Sequence, residues 1–236
     1  MKGLWMMAFI ACVGALCGGV SAQDAALTVV MLGDSTTFCG DSAPGRKLTD
    51  LVQAHLTGDF KLNVNVVNAG VGSDTIKGGF GRLQRHVLKH KPDLVTISFG
   101  LNDTDLLTPQ EFEEFLVKTV DAIRAESNAK ILLVTSTPFV NSKHFWSARF
   151  AEKGGLDEYM DANICAKMRA LAEKRKLPIC DLHTLFKAEF RKAPALEAKV
   201  IRSDGVHLTD EGNALAARYL APVIAAQLAP QTGAEE

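Results

Sequence analysis

The sequence predicts an α/β domain built around a parallel sheet, and three observations carry that prediction. Short β-rich runs alternate along the chain with longer segments of helical periodicity. Three of the runs, 27–32, 93–99 and 130–136, are nearly continuous apolar stretches rich in Val and Ile, as expected of parallel strands covered on both faces. Polar or glycine-bearing motifs follow the first three strands, and ligands bind beyond the carboxyl ends of strands in open sheets of this class.

Strands are expected at 27–32, 62–68, 93–99, 130–136 and 178–181, and helices at 46–56, 78–90, 109–126, 157–176 and 210–228. The 109–126 helix has the clearest start: Thr108 as N-cap, Pro109 at the first helical position and Glu111 in the first turn. Phe112, Phe115, Leu116, Val120 and Ile123 then recur at helical spacing, and Ile164, Met168 and Leu171 do so within 157–176. Such stripes face a core. Strands alternating with helices imply right-handed crossovers, so the loops after successive parallel strands share one edge of the sheet.

The ends of the chain read differently. Met1-Lys2 precedes an apolar run from Leu4 to Val20 that closes in Val20-Ser21-Ala22, the pattern of a secretory signal peptide over 1–22. Cleavage after Ala22 leaves Gln23 first and a secreted or periplasmic protein not inserted in the membrane; an uncleaved anchor is the alternative. Cys17 follows Leu16, where a lipoprotein signal calls for a small residue. One domain is expected over 23–228, with a polar, disordered tail at 229–236.

A net charge of −1 and the lack of a basic block exclude nucleic acid as the expected partner. Beyond the leader the cysteines are Cys39, Cys165 and Cys180, which read as small core hydrophobes or as one bridge and a free thiol. His86 and His90 have the helical spacing of a metal pair but no third ligand nearby, so no metal is expected.

The chemistry gathers at four places. Ser35, in Gly33-Asp34-Ser35-Thr36, follows the first strand, where a strand-to-helix turn exposes a side chain and turns backbone N–H groups toward a developing oxyanion. His207, in Asp204-Gly205-Val206-His207, is a candidate base for the serine proton, and Asp204 can hold the other ring nitrogen. Gly70, in the glycine-rich loop 68–75, and Asn102, in Gly100-Leu101-Asn102-Asp103, are candidate oxyanion donors with Ser35. Each motif alone reads equally as a turn, a cap or an Asx hydrogen bond. Asp34 is a candidate substrate contact. Phe145 and Trp146, in the segment after the fourth strand, offer a platform for a sugar or acyl group, or else pack beneath their loop.

Taken in order, the four blocks resemble the SGNH (GDSL-type) hydrolase superfamily of esterases and lipases across nearly the whole chain after the leader. The resemblance implies a flavodoxin-like, three-layer α/β/α sandwich on a five-stranded parallel sheet of order 2-1-3-4-5. It implies Ser35 as nucleophile, His207 and Asp204 as base and acid, and Gly70 and Asn102 as oxyanion donors. It also implies an acyl-serine intermediate with no metal or organic cofactor. Two departures stand: Thr36 replaces the family's usual Leu, and 70–75 reads Gly-Val-Gly-Ser-Asp-Thr where Ser often precedes Gly, which leaves Gly72 as an alternative to Gly70. The expected activity is removal of short acyl groups, above all acetyl, from a small-molecule or polysaccharide ester. A lysophospholipase, thioesterase or arylesterase of the same chemistry is the alternative, with a non-catalytic carbohydrate-binding domain behind it.

Overall fold

The computed structural model describes residues 25–229; the signal-peptide reading of 1–22 and the expected tail beyond Ala229 lie outside the described residues. In chain order the described elements are β1 (Leu27–Gly33), α1 (Ser35–Phe38), α2 (Leu48–Gly58), β2 (Val64–Gly70), α3 (Ile76–Gly81), α4 (Leu83–His86) and β3 (Leu94–Ser98). They continue with α5 (Asp103–Leu106), α6 (Pro109–Glu126), β4 (Lys130–Val134), α7 (Ser147–Phe150), α8 (Leu156–Met160), α9 (Ala166–Arg175) and β5 (Ile179–Cys180). The last are α10 (Leu182–Lys192), α11 (Glu197–Val200) and α12 (Asp210–Leu228).

All strand pairs are parallel, and the five-stranded sheet has the order β2-β1-β3-β4-β5 implied by the resemblance. Strand alternation sends side chains to two helical layers. Val30, Leu32, Val95, Ile97, Ile131 and Leu133 face one core, which contains Phe112, Leu116 and Val120 of α6 and Met168 of α9. Val29, Met31, Leu132 and Val134 face the other, with Val52 and Leu56 of α2, Phe186 of α10 and Leu220 of α12. The sheet is thus covered on both sides, which is why its central strands are apolar at nearly every position, with Thr28 in β1 and Thr96 in β3 among the exceptions.

Register decides where the site lies. Gly33 at the end of β1 pairs with Gly70 at the end of β2 and with Ser98 at the end of β3. Three loops therefore leave the sheet side by side at the same height.

α6 has the expected bounds, and its start is a capping box. Thr108 Oγ1 accepts the Glu111 N–H (3.2 Å), while Glu111 Oε2 accepts the Thr108 N–H (2.8 Å). Other boundaries differ. The expected helix at 78–90 is broken into α3, α4 and a 3₁₀ turn at Leu88–His90, because Gly78, Gly79 and Gly81 are weak helix formers and Arg82 leaves the helical region. The expected helix at 157–176 contains a π-helical turn at Asp161–Cys165. α10, unassigned from sequence, starts at a side-chain cap in which Asp181 accepts the Thr184 N–H (3.2 Å). Cys39, Cys165 and Cys180 are buried free thiols. Among the described residues, no helix is long and apolar enough to cross a membrane.

Candidate active site

Ser35 is the first residue of α1, two residues beyond the β1 terminus, so its N–H has no acceptor within the helix. Asp34 caps that turn: its Oδ1 accepts from the Thr36 N–H (2.9 Å) and from Thr36 Oγ1 (2.8 Å). Asp34 is only 1 % exposed, which corrects its assignment as a substrate contact. Burial pushes its carboxyl up to about 6, against the lowering effect of the Thr36 hydrogen bonds.

His207 and Asp204 lie on the loop that precedes α12. A bridge between Ile201 and Leu208 closes this loop, and the Arg202 N–H donates to the His207 carbonyl (2.8 Å). His207 Nε2 lies 2.9 Å from Ser35 Oγ, and Nδ1 lies 2.8 Å from Asp204 Oδ2. A carboxylate only accepts, so Nδ1 carries the ring proton and Nε2 is left to accept from Ser35. Asp204 Oδ1 also accepts the N–H groups of Val206 (2.9 Å) and His207 (3.0 Å). Burial alone would raise this carboxyl; the hydrogen bonds from Val206 and His207 outweigh it and hold Asp204 below its ordinary pKa. The three side chains expected from sequence lie in one continuous hydrogen-bonded row.

Asn102, after β3, lines the cleft beside Ser35. Its Nδ2 donates to the Asp74 carbonyl (2.9 Å), which uses one of the two amide hydrogens. Gly70 requires a correction. Its N–H donates to Asn68 Oδ1 (2.9 Å), and a Cβ there would fall 2.2 Å from the Phe38 nitrogen. The glycine lets β2 pack against α1, and its donor is occupied. Gly72 and Ser73 are the residues of that loop that line the cleft, with Ser73 at φ 58°. Among non-glycine residues that conformation is uncommon, and it is the signal the sequence obscured.

The cleft, about 240 Å³, is walled opposite this loop by Phe139, His144, Phe145 and Trp146. His144 and Phe145 stack with centroids 4.7 Å apart, and Trp146 meets His144 edge-on at 4.8 Å. Phe145 is 75 % exposed, so it is a rim residue rather than packing beneath the loop. His144, to which the sequence assigns no partner, is 7 % exposed, and burial holds its imidazole below the ordinary histidine pKa. Its Nδ1 accepts the Trp146 N–H (3.3 Å), so the neutral ring carries its hydrogen on Nε2. On the other side of Ser35 a pocket of about 150 Å³ is lined by Phe38, Ser42, Arg202 and Asn213.

Behind the cleft lie groups with no signature in sequence. Asp103 is fully buried; Oδ1 accepts the Ile76 N–H (2.8 Å), Oδ2 has no partner among the described residues, and burial pushes the carboxyl up to about 7. The buried His183 lies between Asp157 (3.0 Å) and Asp161 (3.3 Å), and Asp157 also accepts the Phe139 N–H (2.9 Å) and holds Lys187. This network anchors the base of the aromatic wall. Among the described residues, no group of three or more His, Cys, Asp or Glu is placed to hold a metal.

A profile described as the GDSL-like lipase/acylhydrolase family matches residues 31–215. An uncharacterized lipoprotein, YqeF of Bacillus subtilis (strain 168), is 29% identical over 174 residues, covering 64% of this chain and 69% of that protein. Esterase TesA of Pseudomonas aeruginosa is 34% identical over 113 residues, covering 48% of this chain; the match spans about half, 55%, of that relative. The crystal structure of an acetyl xylan esterase, AlAXEase, superposes with a TM-score of 0.68 at 24% identity over 84% of this chain and 100% of that one. With the family match spanning most of the chain, and a Ser, a His and an Asp in hydrogen-bonded sequence at the carboxyl edge of a 2-1-3-4-5 sheet, the chain belongs to the GDSL-like lipase/acylhydrolase family of SGNH-type hydrolases.

Proposed function

We propose that this protein is an exported serine esterase that removes short acyl groups, chiefly acetyl, from carbohydrate esters. One observation carries the reaction: Ser35 Oγ, His207 and Asp204 form a relay with contacts of 2.9 and 2.8 Å. His207 Nε2 takes the hydroxyl proton as Ser35 Oγ bonds to the ester carbonyl carbon. The carbonyl π pair moves to oxygen, where the second Asn102 amide hydrogen and the N–H groups of Ser35 and the 72–73 loop stabilise it. Collapse expels the alcohol, which leaves with the proton from His207. Water then repeats the sequence on the acyl-serine, releasing the carboxylic acid and restoring Ser35. These side chains supply every proton transfer, so no metal or organic cofactor is required.

Two features support a carbohydrate as the alcohol part. Phe145 is an exposed aromatic at the cleft rim beside the half-buried Trp146, and the Ser35 pocket continues past Asp41, Ser42 and Arg202 into an open polar groove reaching Asp210 and Glu211. The structural likeness to an acetyl xylan esterase agrees with this reading. Export rests on the leader-like 1–22 segment. A net charge of −1 offers nothing to nucleic acid.

An organophosphonate probe followed by intact-mass measurement tests the reaction: one adduct is expected, absent in Ser35→Ala. No adduct on the folded wild-type protein means a binding domain instead. The apolar lining of Leu101, Phe139, Phe145 and Trp146 supports a second reading, hydrolysis of longer acyl esters. Turnover of p-nitrophenyl esters from acetyl to decanoyl separates the two, and a rise in kcat/KM with chain length overturns the deacetylase.

A further inference from the structure

Arg82 is a buried cation that the reaction above does not use. It lies where α3 meets α4 and is 8 % exposed. Its guanidinium reaches three different segments. Nη2 donates to the Gly33 carbonyl at the end of β1 (2.9 Å), two residues before Ser35. Nη1 donates to the Ala69 carbonyl near the end of β2 (2.6 Å), and Nε pairs with Asp74 Oδ2 (2.7 Å) in the loop beyond. Asp74 in turn offers its backbone carbonyl to Asn102 Nδ2 (2.9 Å). One guanidinium therefore ties the strand below Ser35 to the residue that orients the Asn102 amide.

We propose that Arg82 is a positioning residue for ester hydrolysis, acting through Asp74 to hold Asn102 in place relative to Ser35. The inference rests on the reaction proposed above. Its physical basis is directional: the Asn102 amide has two hydrogens, and the bond to Asp74 fixes one of them. The orientation of the other then follows from where Asp74 sits. Asp74 is held from two sides, by Arg82 and by contact with Gly78, where a Cβ would fall 1.8 Å from Asp74 Oδ1. A lysine at 82 presents one compact ammonium and lacks the planar fork that reaches three acceptors at once. Because an oxyanion donor acts on charge that develops only in the transition state, loosening it lowers kcat and leaves KM nearly unchanged.

Arg82→Lys tests this in wild-type and Asn102→Ala backgrounds, with Gly78→Ala as a second variant that displaces Asp74 while keeping Arg82. Each is expected to lower kcat by about 10–100-fold with KM within about threefold, and to have less than about threefold effect once Asn102 is alanine. An equal loss in both backgrounds, or a change in KM alone, overturns the proposal. The side-chain amide resonances of Asn102 in ¹⁵N-labelled protein give a readout independent of turnover. They should shift in Arg82→Lys and Gly78→Ala while those of Asn163 hold still; an unmoved Asn102 signal also overturns it. If wild-type protein forms no phosphonate adduct, the esterase reading fails on its own, and the Asn102 resonances still decide whether Arg82 positions that amide.

Discussion

Asp204 grips His207 twice: Oδ2 lies 2.8 Å from the ring Nδ1, and Oδ1 accepts the backbone N–H of the same residue at 3.0 Å. The second contact fixes the carboxylate in the plane where the first can act. Asp204→Asn preserves shape but not polarity. If the amide oxygen keeps the two backbone N–H donors, the amide nitrogen faces Nδ1, and the ring must move its proton to Nε2. That tautomer cannot accept from Ser35. We expect kcat to fall by about 10³–10⁴-fold, at least as much as for Asp204→Ala. Steady-state kinetics with a short p-nitrophenyl ester checks it, and a variant retaining a tenth of wild-type kcat refutes the tautomer argument.

Asn102→Ala removes one donor to the oxyanion. Its expected cost is roughly 10²–10³-fold in kcat, against about 10⁴-fold or more for Ser35→Ala and His207→Ala. Gly70→Ala should also reduce activity, but through packing against the Phe38 backbone, so its melting temperature should fall with it. A lower kcat for Gly70→Ala at unchanged stability would return Gly70 to the oxyanion site.

Gly205 stands between Asp204 and His207 with φ 78°, a region that disfavours other residues. A Cβ there would lie 2.8 Å from Lys143 Cβ and 3.0 Å from the His144 nitrogen, and the Gly205 carbonyl accepts the Val140 N–H (2.8 Å). The relay loop and the aromatic loop are therefore seated on each other. Gly205→Ala should cost about 1–2 kcal/mol in unfolding experiments and shift kcat and KM together. Unchanged kinetics would show that the two loops move independently.

The legible parts of this protein are those encoded in a few adjacent residues. Gly33-Asp34-Ser35 marks a strand-to-helix junction, Asp204 and His207 lie within one turn, and the Thr108–Glu111 box starts α6, so each could be read in place. The apolar runs of β1, β3 and β4 were legible because both sheet faces are covered. What failed depends on chain geometry or on distant partners. Gly70 is suggested by its glycine-rich loop and its offset from Asn68, yet the loop turns at Ser73, which adopts a left-handed conformation without being glycine. Arg82 matters through carbonyls 49 and 13 residues away, and His183 through carboxylates 26 and 22 residues away. No local pattern announces such pairs. α10 follows β5 with only its cap, Asp181, between them, so no turn residues mark its start.

His144 sets a test of substrate class. In a wall otherwise made of Leu101, Phe139, Phe145, Trp146 and Val206, the neutral imidazole offers one N–H. A sugar oxygen can accept from it and an alkyl chain cannot. His144→Phe should therefore lower kcat/KM on an acetylated xylooligosaccharide by about 10–100-fold and leave p-nitrophenyl acetate within about threefold. Parallel losses on both substrates would assign His144 to packing.

Asp103 makes stability depend on pH in an unusual direction. Its carboxyl, ordinarily at 3.8, is pushed up to about 7 by burial, and the buried Asp34 reaches about 6. The folded protein thus holds protons that the unfolded chain has released. Between pH 3.8 and each raised value the unfolded state binds fewer protons, so these two groups lower stability as pH rises. The Asp34 contribution ends near pH 6; that of Asp103 continues to about 7. Asp103→Asn keeps an oxygen for the Ile76 N–H and removes the ionisation. Relative to wild type, the variant should gain roughly 2–3 kcal/mol of unfolding free energy between pH 5 and pH 8, most of it before pH 7. Urea unfolding at several pH values measures this difference directly, and since all histidines are shared, their titration largely cancels. A constant offset between the two proteins from pH 5 to 8 would mean that Asp103 is already ionised at pH 5.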